Sequence, residues 1–339
     1  MLKLKNLLII GITILISSCG GTTINFNEEK EYLEERKKIV YYKGTPFSGT
    51  ILKYHKNGQL DTKTTLKDGK REGLFENYND DGQLFEKTTF KNGKYHGLYE
   101  SFYDNGQYKF KKTYKNGKYH GLYESFYDNG QLKVKETLEN SVSQGPSEMF
   151  YENGQLKEKR TFNKNGFLEG PYEFYHENGQ LKEKGTYKDG ELDGLYEVYH
   201  ENGQLKEKGA YKDGKITARE FYHENGQLKE KGTYKDGELD GLYEVYHENG
   251  QLKAKGTKMY GEWNGGPYEE YHENGQLKAK AAFNKNGFLE GPYEVYHVNG
   301  QLKEKGTYDY GDKNGLYEVY HENGQLKEKG TYNYGYKVD

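Results

Sequence analysis

The ten histidines are the side chains of this sequence best suited to metal or acid–base chemistry. Eight of them (His55, His176, His200, His223, His247, His272, His297 and His321) stand just before a recurring Gly-Gln pair, the last seven each one repeat from the next. Equivalent positions in successive hairpins lie two strands apart, roughly 9.6 Å. Zinc needs its nitrogens about 2.0–2.1 Å from the metal, so neighbouring histidines of such a ladder cannot share one ion. Neither a His-Glu-x-x-His segment nor a cysteine pair adds ligands, and no metal site is expected. Glutamate and lysine are abundant, but the repeat accounts for them as cross-strand pairs and solubilising charge, and no isolated carboxylate pair breaks it as a catalytic pair would. Hydrolytic chemistry would need a serine or cysteine nucleophile partnered by histidine, and that constellation is absent too. The glycines belong to hairpin turns rather than to a phosphate-binding loop between strand and helix. The expectation is a protein with no enzymatic activity, no cofactor and no catalytic residue.

The same regularity defines the architecture. A turn glycine in an Asn/Asp-Gly-Gln frame occurs twelve times, from Gly58 to Gly324, at spacings of 23 to 25 residues. A second glycine stands nine residues before eleven of these, from Gly49 to Gly315. A fixed period of this length marks a stacked repeat. All length variation falls in the other connection, so one turn is rigid and the other adjustable. Asn-Gly between strand-like segments predicts a type I′ turn centred on Asn202-Gly203, which needs positive φ at both residues. That register sets Val198 opposite Glu207, Glu197 opposite Lys208 and Tyr196 opposite Gly209. An opposite-charge cross-strand pair contributes roughly 0.2–1 kcal/mol, and an aromatic ring over a bare glycine protects a weak strand position. Centring the next turn on Asp189-Gly190 pairs Tyr187 with Leu192 and Glu183 with Tyr196. Leu181, Tyr187, Leu192, Tyr196, Val198 and Leu205 then share one face. Lys182, Lys184, Glu197, Lys206 and Lys208 take the other, with Leu195 and Tyr199.

The exceptions follow the same logic. In the 25-residue repeats a three-residue loop ending at Gly166 pairs Phe162 with Leu168, and Phe283 to Leu289 repeats it. The 23-residue repeat replaces the expected glycine with Thr217 and puts Arg219 in a tyrosine slot, predicting a kink or seam near 214–219. Pro146, Pro171, Pro267 and Pro292 each follow the strand-opening glycine, where a missing donor costs least. The fold class is all-β, an elongated meander of about twelve 23–25-residue hairpins over residues 39–339.

Residues 1–18 read as a secretory leader, with Lys3 and Lys5 ahead of the apolar run Leu7 to Ile16. The ending Ile16-Ser17-Ser18-Cys19 resembles the lipobox of bacterial lipoproteins, which implies cleavage before Cys19, the single cysteine, and lipidation of its thiol. Such a protein is membrane anchored in the bacterial cell envelope. With Gly20 next and no Asp retention signal, the resemblance implies the outer membrane of a Gram-negative host. Residues 19–38 are polar and charged and read as a tether, with a short helix capped by Asn27.

The pattern Tyr-x-x-Tyr-x-x-Asn-Gly-Gln-Leu-Lys, followed by Thr-Tyr-Lys-x-Gly-x-x-x-Gly, resembles the bacterial variant of the MORN repeat (membrane occupation and recognition nexus). Proteins built from it are often labelled YwqK-type antitoxins. Tyr41-Tyr42-Lys43-Gly44-Thr45-Pro46-Phe47-Ser48-Gly49 is similar to the opening unit of such arrays. The resemblance implies a MORN-like solenoid with interaction roles. A formal charge of −3 argues against nucleic acid as partner, and a polybasic membrane-binding cluster is lacking. With 36 tyrosines available, the candidate binding surface is Tyr172, Tyr196, Tyr243, Tyr268, Tyr293 and Tyr317 with the singular Trp263, residues suited to protein or glycan recognition. Trp263 also fits the Leu192-type slot of its repeat. The expected function is a lipid-anchored scaffold for a protein or glycan, the alternative an antitoxin or immunity protein that neutralises a toxin. Terminal strands, with Tyr332 to Val338 forming no cap, could pair end to end.

Overall fold

The structure, a computed structural model, describes residues 21–338, so the leader 1–18 and Cys19 lie outside the described residues. The chain divides into two compact units, residues 1–119 and 120–339. From Gly49 onward both are antiparallel meanders of the expected hairpins, successive long strands bonded to one another.

The hairpin Gly194–Tyr199/Leu205–Lys212 shows why the segments pair as they do. Tyr196 lies opposite Gly209, Glu197 opposite Lys208 and Val198 opposite Glu207, as period-two alternation requires. The type I′ geometry belongs to the adjustable turn. There Asp189 and Gly190 both have positive φ, 49° and 91°, and Tyr187 pairs with Leu192.

At the Asn-Gly-Gln turn the structure departs from the type I′ expectation. Only Gly203 is left-handed, at φ 82°. Its N–H donates to the His200 carbonyl at 2.9 Å, and the His200 N–H donates to the Gln204 carbonyl at 2.8 Å. The loop is therefore the three-residue form closed by a glycine bulge, and Leu205 moves opposite Tyr199. Asn202 explains the choice: its side-chain oxygen accepts the Gln204 N–H at 3.0 Å, a local bond that leaves its own φ negative. In neighbouring repeats the asparagine also reaches across the array, as when Asn225 Nδ2 donates to the Glu248 carbonyl at 2.7 Å. Asn225→Ala, which loses that bond and the one to the Gln227 N–H, is expected to lower stability by about 1–2 kcal/mol in urea unfolding. A change within error would mean that the turns do not stitch the repeats.

Glu183 lies opposite Val198 rather than Tyr196. Asp193 to Tyr196, four residues, oppose only Gly185 and Thr186, and Gly194 turns the chain at φ 105°. Two inserted residues are an even number, so the register moves while the two faces keep their members. In the 25-residue repeats Phe162 meets Leu168 and Phe283 meets Leu289 as expected. Across 214–219 the strand Lys215–Tyr222 stays paired on both sides. The missing residue is taken out of the bulge, which retains one extra residue, and Thr217 there needs no positive φ.

Residues 21–38, expected as a tether, are folded. Thr22–Asn25 runs parallel to Gly49–Tyr54 with Ile24 opposite Ile51. The helix Phe26–Glu29 is capped by Asn25, not Asn27. Asn27 instead bonds the backbone N–H and carbonyl of Tyr54, at 2.9 and 2.8 Å. Leu33–Arg36, Ile39–Tyr42 and Thr45–Pro46 form a small second sheet. Ile24, Phe47, Ile51 and Leu66 are buried together, with Phe26, Leu33, Val40 and Tyr42 against them. The segment is a cap that covers the first strand of the array, as stacked repeats require.

Candidate binding face

The tyrosines singled out in the sequence lie on the inner face. Tyr172, Tyr196, Tyr293 and Tyr317 are only 2–6% exposed, and Tyr243 and Tyr268 are half-buried. Each buried ring covers a strand glycine: a Cβ on Gly185 would meet Tyr172 Cε1 at 2.7 Å, and one on Gly306 would meet Tyr293 Cε1 at 2.9 Å. The hydroxyls donate to glutamates of the paired strand, Tyr172 to Glu183 at 2.7 Å, Tyr196 to Glu207 and Tyr293 to Glu304. Burial first, then the carboxylate acceptor, raises all three phenols above their usual value. Arg219, in its anomalous slot, completes one such cluster, with Nε 2.7 Å from Glu207 and 3.1 Å from the Tyr196 hydroxyl. Trp263 stands opposite Lys258, the equivalent of Leu192, and packs on Tyr243, Tyr268 and Phe283 with centroids 5.7, 4.9 and 6.4 Å away. These aromatic residues hold the sheet together.

The ladder histidines, expected as solvated, are half-buried apart from the exposed His321, and six of them are linked across repeats. His176 Nε2 lies 3.2 Å from the Tyr199 carbonyl, His297 Nε2 3.0 Å from the Tyr320 carbonyl, and His55, His223, His247 and His272 repeat the bond. Where tyrosine takes the slot its hydroxyl does the same, Tyr151 donating to the Tyr175 carbonyl at 2.7 Å. Among the described residues no three His, Cys, Asp or Glu side chains are grouped to hold a metal ion.

The outer face, which alternation fills mainly with charged residues, is where side chains remain available. Three rows run across its strands in the second unit. One is an unbroken alternation of glutamate and lysine, from Glu173, Lys184, Glu197 and Lys208 through to Glu318 and Lys329. The ion pairs close toward the next hairpin: Lys184 binds Glu197 at 2.7 Å and Lys305 binds Glu318 at 2.8 Å. Lys184 holds the Glu197 carboxyl below its usual range, helped by the Tyr199 hydroxyl. A second row holds those tyrosines, among them Tyr175, whose phenol is pushed up to about 12 by burial and by Glu173. The third is apolar: Leu195, Leu242 and Leu316 are 77, 68 and 78% exposed. Pro171, Pro267 and Pro292 are exposed in the same slot, opposite the small residues Thr186, Ala282 and Thr307. Rows of exposed apolar residues flanked by polar groups mark interaction surfaces. In the first unit a cavity of about 720 Å³ lies under the N-terminal cap, with apolar walls of Phe26, Leu33, Val40, Ile51, Leu66 and Phe90. No helix among the described residues is long and apolar enough to cross a membrane.

The family described as MORN repeat variant matches eleven segments: 71–92, 95–116, 119–140, 143–164, 168–189, 192–213, 218–236, 239–257, 264–285, 289–310 and 313–334. Together they cover more than half of the chain. No curated protein matches. Two solved structures are similar in part, "Crystal Structure of TcdB2-TccC3" at 10% identity and "Crystal Structure of TcdB2-TccC3-Cdc42" at 11%. They cover 84% and 92% of this chain, which spans 19% of theirs, with a TM-score of 0.19 in both cases. A likeness that low carries no functional argument.

Proposed function

This chain belongs to the MORN repeat variant family, and we propose that it is a non-enzymatic, lipid-anchored scaffold of the bacterial envelope whose outer face binds a protein or glycan. MORN repeats are in general protein- or membrane-binding modules. The observation that carries the reading is the outer apolar row, with Leu195, Leu242 and Leu316 left largely in water by a fold that buries Tyr172, Tyr196, Tyr293 and Tyr317. The lipobox-like Ile16-Ser17-Ser18-Cys19 supports the anchor. A diacylglycerol on that thiol brings more than one acyl chain, as stable attachment needs.

The test is photo-crosslinking in intact cells from residues 195 and 242 on the outer face, against residue 198 on the inner face. Crosslinks are expected from the first two positions and not from the third; equal labelling would overturn the assignment of the face. Cys19→Ala is expected to leave the membrane fraction, and unchanged association would overturn the anchor. A single toxin recovered in stoichiometric amount would make the protein an immunity factor instead.

A further inference from the structure

We infer, resting on the scaffold reading above, that the outer face of the second unit binds an extended, uncharged β-1,4-linked glycan strand lying across its hairpins. The surface repeats with the hairpin: Pro171, Leu195, Leu242, Pro267, Pro292 and Leu316 stand in one slot on successive or near-successive repeats. Two strand spacings separate adjacent hairpins, roughly 9.6 Å. That is close to the length of one disaccharide in an extended β-1,4-linked chain, so each sugar pair would meet an equivalent slot, filled by leucine or proline except at Ala218. A protein partner would match this period only if it were itself repetitive.

The chemistry of the row suits a sugar. An exposed leucine or proline offers an apolar platform to the C–H face of a pyranose ring. Between Pro171 and Leu195 lies a shallow depression of about 290 Å³, edged by Glu173, Lys184, Thr186 and Glu197. Carboxylate, ammonium and hydroxyl groups around an apolar platform can accept from and donate to sugar hydroxyls on both sides. Charge points to a neutral ligand. Lys184, Lys208, Lys231, Lys255, Lys280 and Lys305 are each already paired with a glutamate, at 2.6–3.1 Å. Neutralised in this way, these six lysines are not free to attract phosphate or an anionic headgroup.

The experiment is calorimetric titration of the full-length protein in detergent with chito-oligosaccharides of increasing length. Because every added disaccharide would meet another repeat, affinity is expected to rise at least about tenfold from the shortest to the longest oligomer. Binding should depend little on salt. The double variant Leu195→Asp/Leu242→Asp, altered only at exposed positions, is expected to bind at least about tenfold more weakly with an unchanged circular dichroism spectrum. A hairpin-tip control, Glu224→Gln, should bind as wild type. Absence of binding, affinity independent of length, steep salt dependence, or full binding by the folded double variant would each overturn the inference. If glycan binding fails while residues 195 and 242 still crosslink a protein, the glycan is wrong and the scaffold stands. Loss of both fells the two together.

Discussion

Tyr172→Ala should be among the most damaging single substitutions in the second unit, lowering its stability by about 3–5 kcal/mol. The ring is 2% exposed, covers Gly185, and packs against Tyr187 and Phe174 with centroids 4.8 and 5.4 Å away. Tyr172→Phe keeps those contacts and loses the hydroxyl's bond to Glu183, a smaller loss of about 1–3 kcal/mol. Gly185→Ala drives a methyl into the same ring and is expected to cost about 1–3 kcal/mol. Urea unfolding of the three variants checks the order. If Tyr172→Ala unfolds like wild type, the inward tyrosines do not hold the sheet, and they return as candidates for a binding surface.

Alkaline unfolding should be steep, because several of these phenols must lose a proton together. Tyr172, Tyr196 and Tyr293 have folded pKa values raised by burial and by carboxylate acceptors. In the unfolded chain a phenol titrates near 10. A raised folded value means that the stabilisation is complete below about pH 10 and is lost as pH climbs toward the folded pKa. Each such group then contributes a slope of about 1.4 kcal/mol per pH unit, roughly 4 for the three. Circular dichroism and tyrosinate absorbance, followed together above pH 10, should change in one transition for these residues. Replacing all three by phenylalanine should make the slope shallower. Gradual ionisation without unfolding would show that the rings are open to solvent.

Much of the fold was legible before any coordinates. Tyr196 over Gly209 and Val198 beside Glu207 follow from alternation in a strand, whose period of two leaves one register that gives each face a consistent character. The Phe162–Leu168 bridge follows from counting residues to Gly166. The misplacement of Glu183 has an equally local cause. A bulge that inserts an even number of residues leaves no trace in the hydrophobic pattern, so only the ladder itself reveals it. The turn type was missed because Asn-Gly permits two loops, and the choice depended on a side-chain bond from Asn202 and on stacking against the next hairpin.

The candidate surface was harder to read, since a tyrosine ladder suits recognition and packing alike. The sequence by itself determined the repeat, its length classes and the membership of the two faces away from the Asn-Gly-Gln turn, because each is written in the order and spacing of neighbouring residues. Only the tertiary structure decided which face closes over itself. Tyr172 is buried because Gly185, on the next strand, has no side chain to keep the ring away, while Leu195 stays in water because its neighbour across the strand, Ala210, is too short to cover it. It alone decided that residues 21–38 form a cap, since Ile24 and Phe26 find their apolar partners at Ile51 and Leu66, beyond the reach of any local pattern.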